Sequence, residues 1–332
     1  MKKKAYLLVV LALFVVSILS GCGGAKKEEP KSETSGDANV AVEEVKEINV
    51  AYICKNTVDP FHQTVNNKCA ELLDAMVEEG SINSWQLYDG LTDPVTQVNL
   101  LDTAITNGAN LVLILPAEAA GSDPVITKCA EEGIPCIVVN SRTTSTEDKA
   151  TAFVGSDDVL SGEMMGEYII EMFPEGGKYI HLQGVIGNSA QIDRGTGIAN
   201  TLGANSKFEM VGEYACEWLA DKAVSATSDA LTTFGDEIVA IVCDNDDMSA
   251  AAQNYCNSIG RSDIICIGVD GNPGPMDMIE AGTLRATVLN PGADQITAAI
   301  NMIPDVVAGK EVESISNIPF VFITKDNVAE YK

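Results

Sequence analysis

The chain has 332 residues with 48 acidic against 21 basic side chains, a formal net charge of −27, and only two histidines. A surface this acidic repels phosphate backbones and anionic headgroups, which excludes nucleic acid as a partner and favours a neutral or cationic ligand, unless the charge serves only solubility. None of the nine cysteines is paired at zinc-site spacing. There is also no phosphate-binding loop with a lysine, no serine elbow and no histidine pair on a helix, so neither metal, cofactor nor catalysis is indicated.

Lys2, Lys3 and Lys4 precede an apolar stretch at residues 5–19, which closes on Leu19, Ser20, Gly21 and Cys22. A positive segment, an apolar core and small residues make an export signal, and this core is shorter than the roughly 20 residues that span a bilayer. The closing run resembles the lipobox of bacterial lipoproteins. That resemblance implies a signal peptide at 1–21, lipidation at Cys22 and an extracytoplasmic protein anchored to the cell membrane. Residues 22–46 have almost no large apolar side chain and read as a flexible tether. Folding is expected from Glu47, and the roughly 285 residues beyond it suit two domains.

From residue 48 short apolar runs alternate with helical patterns. Strands are predicted over 48–53, 85–88, 111–115, 136–139, 178–182, 239–243, 264–269 and 286–289. Helices are predicted over 61–77, 95–106, 124–131, 161–173, 192–202, 222–234, 249–258, 275–280 and 295–307. Near-continuous Val, Ile and Leu in strands separated by helices describes parallel sheets covered on both faces. Cys54, Cys136, Cys243 and Cys266 fall in or beside strands, and Cys69, Cys129 and Cys256 in helices, where a thiol acts as a small hydrophobe. The cysteines other than Cys22 are therefore expected mostly as buried thiols, in a chain too long to need staples.

In such sheets ligands bind beyond the carboxyl ends of the strands. Asp59, Phe61 and His62 follow the first strand, and Asn140, Ser141 and Arg142 the fourth; Asp244 and Asn245 follow Cys243, Asp270 follows Val269 and Asn290 follows Leu289. No nucleophile with its base stands among them. A pyranose has apolar C–H faces and a rim of hydroxyls, so a dry site needs flat aromatic walls and planar hydrogen-bonding groups. Phe61 and Trp218 can supply walls, Asp59 and Asp270 acceptors, Arg194 several donors, and Asn140, Asn245 and Asn290 both kinds of group. Singly, each has a plainer reading as a helix start, a turn, core, a surface charge or a loop cap.

The order and spacing of these residues resemble the bacterial periplasmic sugar-binding proteins of the ribose and glucose/galactose type, from about residue 48 onward. Asp59, Pro60, Phe61 looks like that family's acidic residue and aromatic after the first strand, and Asn140 like its hydroxyl-binding residue after the fourth. Arg194, in Asp193, Arg194, Gly195, is similar to the arginine that opens a helix in the second domain, and Trp218 to the aromatic facing Phe61 across the sugar. Asn245 before Asp246, Asp247 and Met248, Asp270 within Gly268 to Gly271, and Asn290 after Thr287, Val288 and Leu289 match three further strand-end motifs.

The resemblance implies an α/β protein of two similar Rossmann-like lobes with parallel sheets, joined by a three-segment hinge. Residues 47–155 with 291–317 would form the N-terminal lobe, and 156–290 with 318–332 the C-terminal lobe. It further implies a monomeric solute-binding protein, not an enzyme, that closes on a monosaccharide. That protein would dock on an ABC permease, or present its sugar to a chemoreceptor or sensor kinase. A glucose- or galactose-like hexose is expected, with a pentose, inositol or furanose signal as alternatives.

Two departures bear on the ligand. Where the glucose/galactose branch has a histidine and an acid six and four residues before its arginine, this chain has Asn188 and Ala190. The hydroxyl read by that acid lacks its partner, and Asn188, Gln191 or Arg142 are candidates to compensate; His62 is either a pocket residue or a surface histidine. The branch's calcium loop is also missing, since residues 173–178 offer only Glu175, so no metal is expected.

Overall fold

Strand β1 (Asn49–Cys54) is buried along every residue after its first, as an inner strand of a sheet covered on both faces must be. The computed structural model describes residues 47–332. The expected signal peptide at 1–21, the tether at 22–46 and Cys22 lie outside the described residues. After β1 the chain runs through α1 (Pro60–Glu78), β2 (Ser84–Asp89), α2 (Pro94–Thr106), β3 (Leu111–Ile114), α3 (Asp123–Glu132), β4 (Cys136–Asn140), the short α4 (Thr146–Lys149) and β5 (Ala152–Gly155). It then crosses into a second lobe with α5 (Asp158–Met172), β6 (Gly177–Gln183), α6 (Ser189–Ile198), a π-helical turn (Ala199–Gly203), β7 (Phe208–Ala215) and α7 (Ala220–Phe234). That lobe continues through β8 (Ile238–Cys243), α8 (Asp246–Ser258), β9 (Ile265–Ile267), β10 (Val269–Asp270), α9 (Pro273–Ala281) and β11 (Ala286–Leu289). The chain returns to the first lobe as α10 (Gly292–Asn301), α11 (Ile303–Val307) and β12 (Ile315–Asn317), and crosses a third time into β13 (Val321–Thr324).

The first sheet has the order β12-β5-β4-β3-β1-β2 and is parallel throughout. The second lobe holds a parallel sheet, β7-β6-β8-β9, and a small sheet, β10-β11-β13, in which β13 alone is antiparallel. Alternate residues of each strand feed opposite cores. Val50 and Tyr52 of β1 pack with Phe61, Val65, Ile296 and Ala299 of α1 and α10, whereas Ala51 and Ile53 pack with Leu101, Val125 and Ile126 of α2 and α3. In the second lobe Ile180 and Leu182 join α7, α8 and α9, and Tyr179 joins α5 and α6. Burying these two-faced strands is the main favourable contribution, about 1.5–3 kcal/mol for each large apolar side chain. In both lobes the strand order reverses beside the first strand, at β1/β3 and at β6/β8, which opens a crevice at the strands' carboxyl ends.

The predicted strand at 264–269 is two strands in two sheets, parted at Gly268. A Cβ there would lie 2.5 Å from the Asn245 carbonyl oxygen, so only glycine lets the chain pass that strand end. The predicted helix at 295–307 breaks at Met302, because Pro304 has no N–H to continue the ladder. Strands β5, β7, β12 and β13 escaped the pattern. β7 is an edge strand carrying the exposed Glu209 and the partly exposed Glu213, so it reads as polar, and the others are four residues or fewer. The eight described cysteines are all buried and unbridged. Among the described residues no helix is long and apolar enough to cross a membrane.

Candidate ligand-binding site

Ten of the eleven residues named from the sequence line one cavity between the lobes: Asp59, Phe61, His62, Asn140, Asn188, Arg194, Trp218, Asn245, Asp270 and Asn290. Each stands in a segment that follows a strand end or at the helix start after it, except Arg194, which lies midway along α6. Asp59 caps α1 by accepting from the Phe61 N–H at 2.9 Å, and Asn245 caps α8 by accepting from Met248 N at 3.1 Å. Their capping and lining roles therefore coexist, because a helix N-terminus at the crevice brings its cap to the ligand side. Asn140, Trp218 and Asp270 have φ of 67°, 69° and 147°, backbone strain of the kind that concentrates at binding sites.

Phe61 stands on α1 with the His62 ring edge-on at 5.2 Å. Trp218 lies against the end of β6, where a Cβ on Gly184 would fall 2.1 Å from its ring; glycine there lets the indole pack flat. Arg194 is buried on α6. Its Nε donates to Asp158 Oδ1 at 2.9 Å, its Nη2 lies 2.9 Å from the same oxygen, and its Nη1 donates to the Asp244 carbonyl. Burial alone would lower the Arg194 pKa, but Asp158, Asp270 and Asp244 outweigh it and hold the guanidinium charged. Asp270 is pushed well above the usual carboxylate range by burial and by the neighbouring Asp246, despite Arg194.

Arg142 is not brought into the cavity. After the left-handed turn at Asn140 its guanidinium lies over the Phe153 ring at 4.5 Å and 3.5 Å from Glu147 Oε1. The guanidinium stacks on an aromatic face beside a carboxylate, and only the Arg142 backbone approaches the cleft. Asn188 lines the cavity, but its side chain accepts from Ala190 N at 3.1 Å and donates to the Ala117 carbonyl at 2.9 Å, so it is engaged within the protein. That bond joins the lobes, as do Ala119 N to the Gly187 carbonyl at 2.9 Å and Arg142 N to Ser189 Oγ at 2.8 Å.

Lys55, Ser141 and Ala190 line the cavity without having been named as site residues. Lys55 is the first residue beyond β1, and that position was the signal available in the sequence. It is 5 % exposed, with Nζ 4.8 Å above the Trp218 ring. Burial lowers its pKa to about 8, partly offset by Asp59. Two buried nitrogens of cavity-lining residues have no protein partner, His62 Nδ1 and Trp218 Nε1. Burial, and then Lys55, lower the His62 pKa to about 4 although Asp59 opposes them, so the ring is neutral near pH 7. A buried donor or acceptor left unmade costs about 1–3 kcal/mol, which a ligand hydroxyl or ring oxygen would relieve. The cavity is about 30 Å³ and adjoins, at Asp59 and Trp218, a recess of about 610 Å³ lined also by Val58, Pro60, Ile186 and Leu219.

Two lobes on parallel sheets, three crossings and a polar cavity at facing strand ends define a two-lobed solute-binding protein. The chain belongs to the periplasmic binding protein family, whose domain it matches over residues 50–311. It is 26% identical over 269 residues to the ribose import binding protein of Escherichia coli, covering 80% of this chain and 86% of that protein. It is 28% identical over 236 residues to the xylitol-binding protein of Mycolicibacterium smegmatis, covering 71% of this chain and 67% of that one. An ABC transporter solute-binding protein of Bacillus halodurans, solved with bound myo-inositol, superposes with a TM-score of 0.80 at 23% identity, over 86% of this chain and 97% of that one, a likeness of fold. Proteins of this family bind solutes for transport and carry out no reaction on them.

Proposed function

We propose that this protein captures a polyhydroxylated small molecule, a monosaccharide or a polyol, between its lobes and delivers it to an ABC permease. The observation that carries this reading is the convergence of Phe61, Trp218 and a rim of amides and charged groups on one cavity, whose lining residues His62 and Trp218 also carry buried nitrogens without a protein partner. Lys55 Nζ occupies the Trp218 face on which a sugar ring would stack, so admission of a sugar requires Lys55 to leave that face and the lobes to part. Residues 47–155 with 291–317 then move against 156–290 with 318–332, and contacts to both lobes favour closure. The sequence resemblance favours a glucose- or galactose-like hexose. The relatives' names, xylitol and ribose, and the myo-inositol in the structural neighbour favour a pentose, a cyclitol or a linear polyol. Import is preferred to sensing because the ribose relative is by name an import protein.

A thermal-shift screen with glucose, galactose, ribose, xylitol and myo-inositol tests the ligand class. A ligand at 100 times its dissociation constant adds about 2.7 kcal/mol of stability, and the melting temperature rises accordingly. If none of the five raises it, the sugar and polyol reading is lost. Trp218→Ala is expected to abolish the response while the variant still melts cooperatively, and an undiminished response would remove Trp218 from the site.

The signal segment and tether give the protein an extracytoplasmic place near its permease, held through lipid on Cys22. Cys22→Ser is expected to shift the protein from the membrane fraction to the soluble fraction of bacterial cells. Retention of the variant on membranes would rule out this anchor.

A further inference from the structure

Gln295, on α10, is fully buried and is bonded to two crossings between the lobes directly and to the third through Ser156. Its Nε2 donates to Ser156 Oγ at 2.7 Å, at the first crossing, and to Asn290 Oδ1 at 2.8 Å, at the second. Ser156 Oγ in turn donates to the Ile318 carbonyl, at the third. The Gln295 Oε1 accepts from Asn140 Nδ2 at 3.0 Å. Asn140 and Asn290 both line the cavity.

The direction of every bond in this network follows from one atom. The Ile318 carbonyl can only accept, so Ser156 must donate to it and receive a hydrogen from Gln295 through a lone pair. That places the Gln295 amide nitrogen towards Ser156 and Asn290, and its oxygen towards Asn140. Asn290 is then obliged to turn its carbonyl to Gln295 and its NH₂ to the cavity. Asn140 gives an N–H to Gln295 and keeps its Oδ1 as an acceptor, 3.4 Å from Ser141 Oγ.

We propose that Gln295 is a positioning residue that locks the donor and acceptor polarity of Asn140 and Asn290 to the geometry of all three crossings. This rests on reading the cavity as the ligand site and the crossings as the hinge. A change in lobe angle moves Ser156 and Ile318 against Gln295, and through it turns the two cavity amides. A ligand that accepts from Asn290 and donates to Asn140 holds Gln295, and hence the hinge, in the closed arrangement. The third crossing has no cavity residue of its own in the network and reaches the ligand only through Ser156 and Gln295.

The test is amide hydrogen exchange on the ligand-free full-length protein, comparing wild type with Gln295→Leu and with Gln253→Leu. Gln253 is likewise buried and bonds to the Ile264 carbonyl and to Cys266 N, away from the crossings, so its variant controls for general destabilisation. In Gln295→Leu, exchange over residues 155–158, 289–295 and 317–321 is expected to rise together by about tenfold, as loss of one or two net hydrogen bonds predicts. Gln253→Leu is expected to leave those three segments at wild-type rates. A rise confined to 289–295, or an equal rise in the Gln253 variant, overturns the proposal. Gln295→Glu keeps the shape but removes the donor to both Ser156 and Asn290. Its three segments are expected to exchange faster too, and the order in which ribose, xylitol, myo-inositol, glucose and galactose raise the melting temperature is expected to change. An unchanged order overturns the polarity argument. If no sugar raises the wild-type melting temperature, the ligand class fails, while the exchange result still decides the role of Gln295.

Discussion

Replacing Asp158 by alanine is expected to destabilise the protein by about 3–5 kcal/mol, the cost of leaving a buried charge without its partner. Asp158 is the first residue of α5, and its Oδ1 holds both Nε and Nη2 of Arg194, which is 4 % exposed. Without it, Arg194 keeps one hydrogen bond, to the Asp244 carbonyl, the nearby charges of Asp270 and Asp244, and a distant face of Trp218, 6.0 Å from the ring centroid. For a chain of this length that loss corresponds to a fall in melting temperature on the order of 10 °C. Arg194 also turns away from the cavity, so the ligand response should be lost along with stability. The double variant Asp158→Leu with Arg194→Met is expected to recover most of the stability and none of the response, because an apolar pair of similar volume avoids desolvating two charges. A loss below about 1 kcal/mol for the single variant would show that Arg194 is solvated or paired elsewhere.

The second large effect is expected from pH and His181. This residue on β6 lies between Glu213 on β7 and Asp244 after β8, with Nδ1 3.1 Å from Glu213 Oε1 and Nε2 2.7 Å from Asp244 Oδ1. Both ring nitrogens face carboxylate oxygens, which only accept, so both must carry hydrogen and the ring is an imidazolium. Burial by itself would lower its pKa, but Asp244 and then Glu213 raise it to about 9. The folded value exceeds the unfolded one, so the stabilisation is fully present below about pH 6.5 and is lost as pH rises through about 9. The shift from the ordinary 6.5 corresponds to roughly 3 kcal/mol. Lys55 acts in the opposite sense. Its folded pKa of about 8 lies below the unfolded value, so its contribution grows as pH rises from about 8 towards 10.5. The His181 effect is therefore read as a difference: in urea unfolding, the stability gap between wild type and His181→Gln should shrink from pH 6 to pH 10. A gap that stays constant over that range would mean the ring is not charged in the folded protein. Asp244 also accepts from Gly184 N at 2.8 Å, and its carbonyl receives Arg194, so the same measurement reports on the support behind the ligand site.

Much of the site was legible because the fold makes it so. In a parallel sheet the carboxyl ends of the strands gather on one edge, so Asp59, Asn140, Asn245, Asp270 and Asn290 could be named from strand ends alone. Arg142 satisfied the same rule and fails it in space, because the left-handed Asn140 redirects its side chain onto Phe153. Lys55 satisfies the rule as well, directly after β1 and closer to the strand end than Asp59 to His62, and it lines the cavity.

Local sequence determined what depends on periodicity and strand position: alternating strands and helices, two-faced cores, thiols placed as small hydrophobes, and the polar residues of the crevice. Tertiary structure alone decided what depends on partners far apart in the chain. Arg194 is held by Asp158 thirty-six positions away, His181 is charged by Glu213 and Asp244, and Gln295 gathers Asn140 from the end of β4 and Ser156 and Asn290 from two crossings. A hydrogen bond or ion pair acts over about 3 Å whatever the separation in sequence, so no window of neighbouring residues contains its cause.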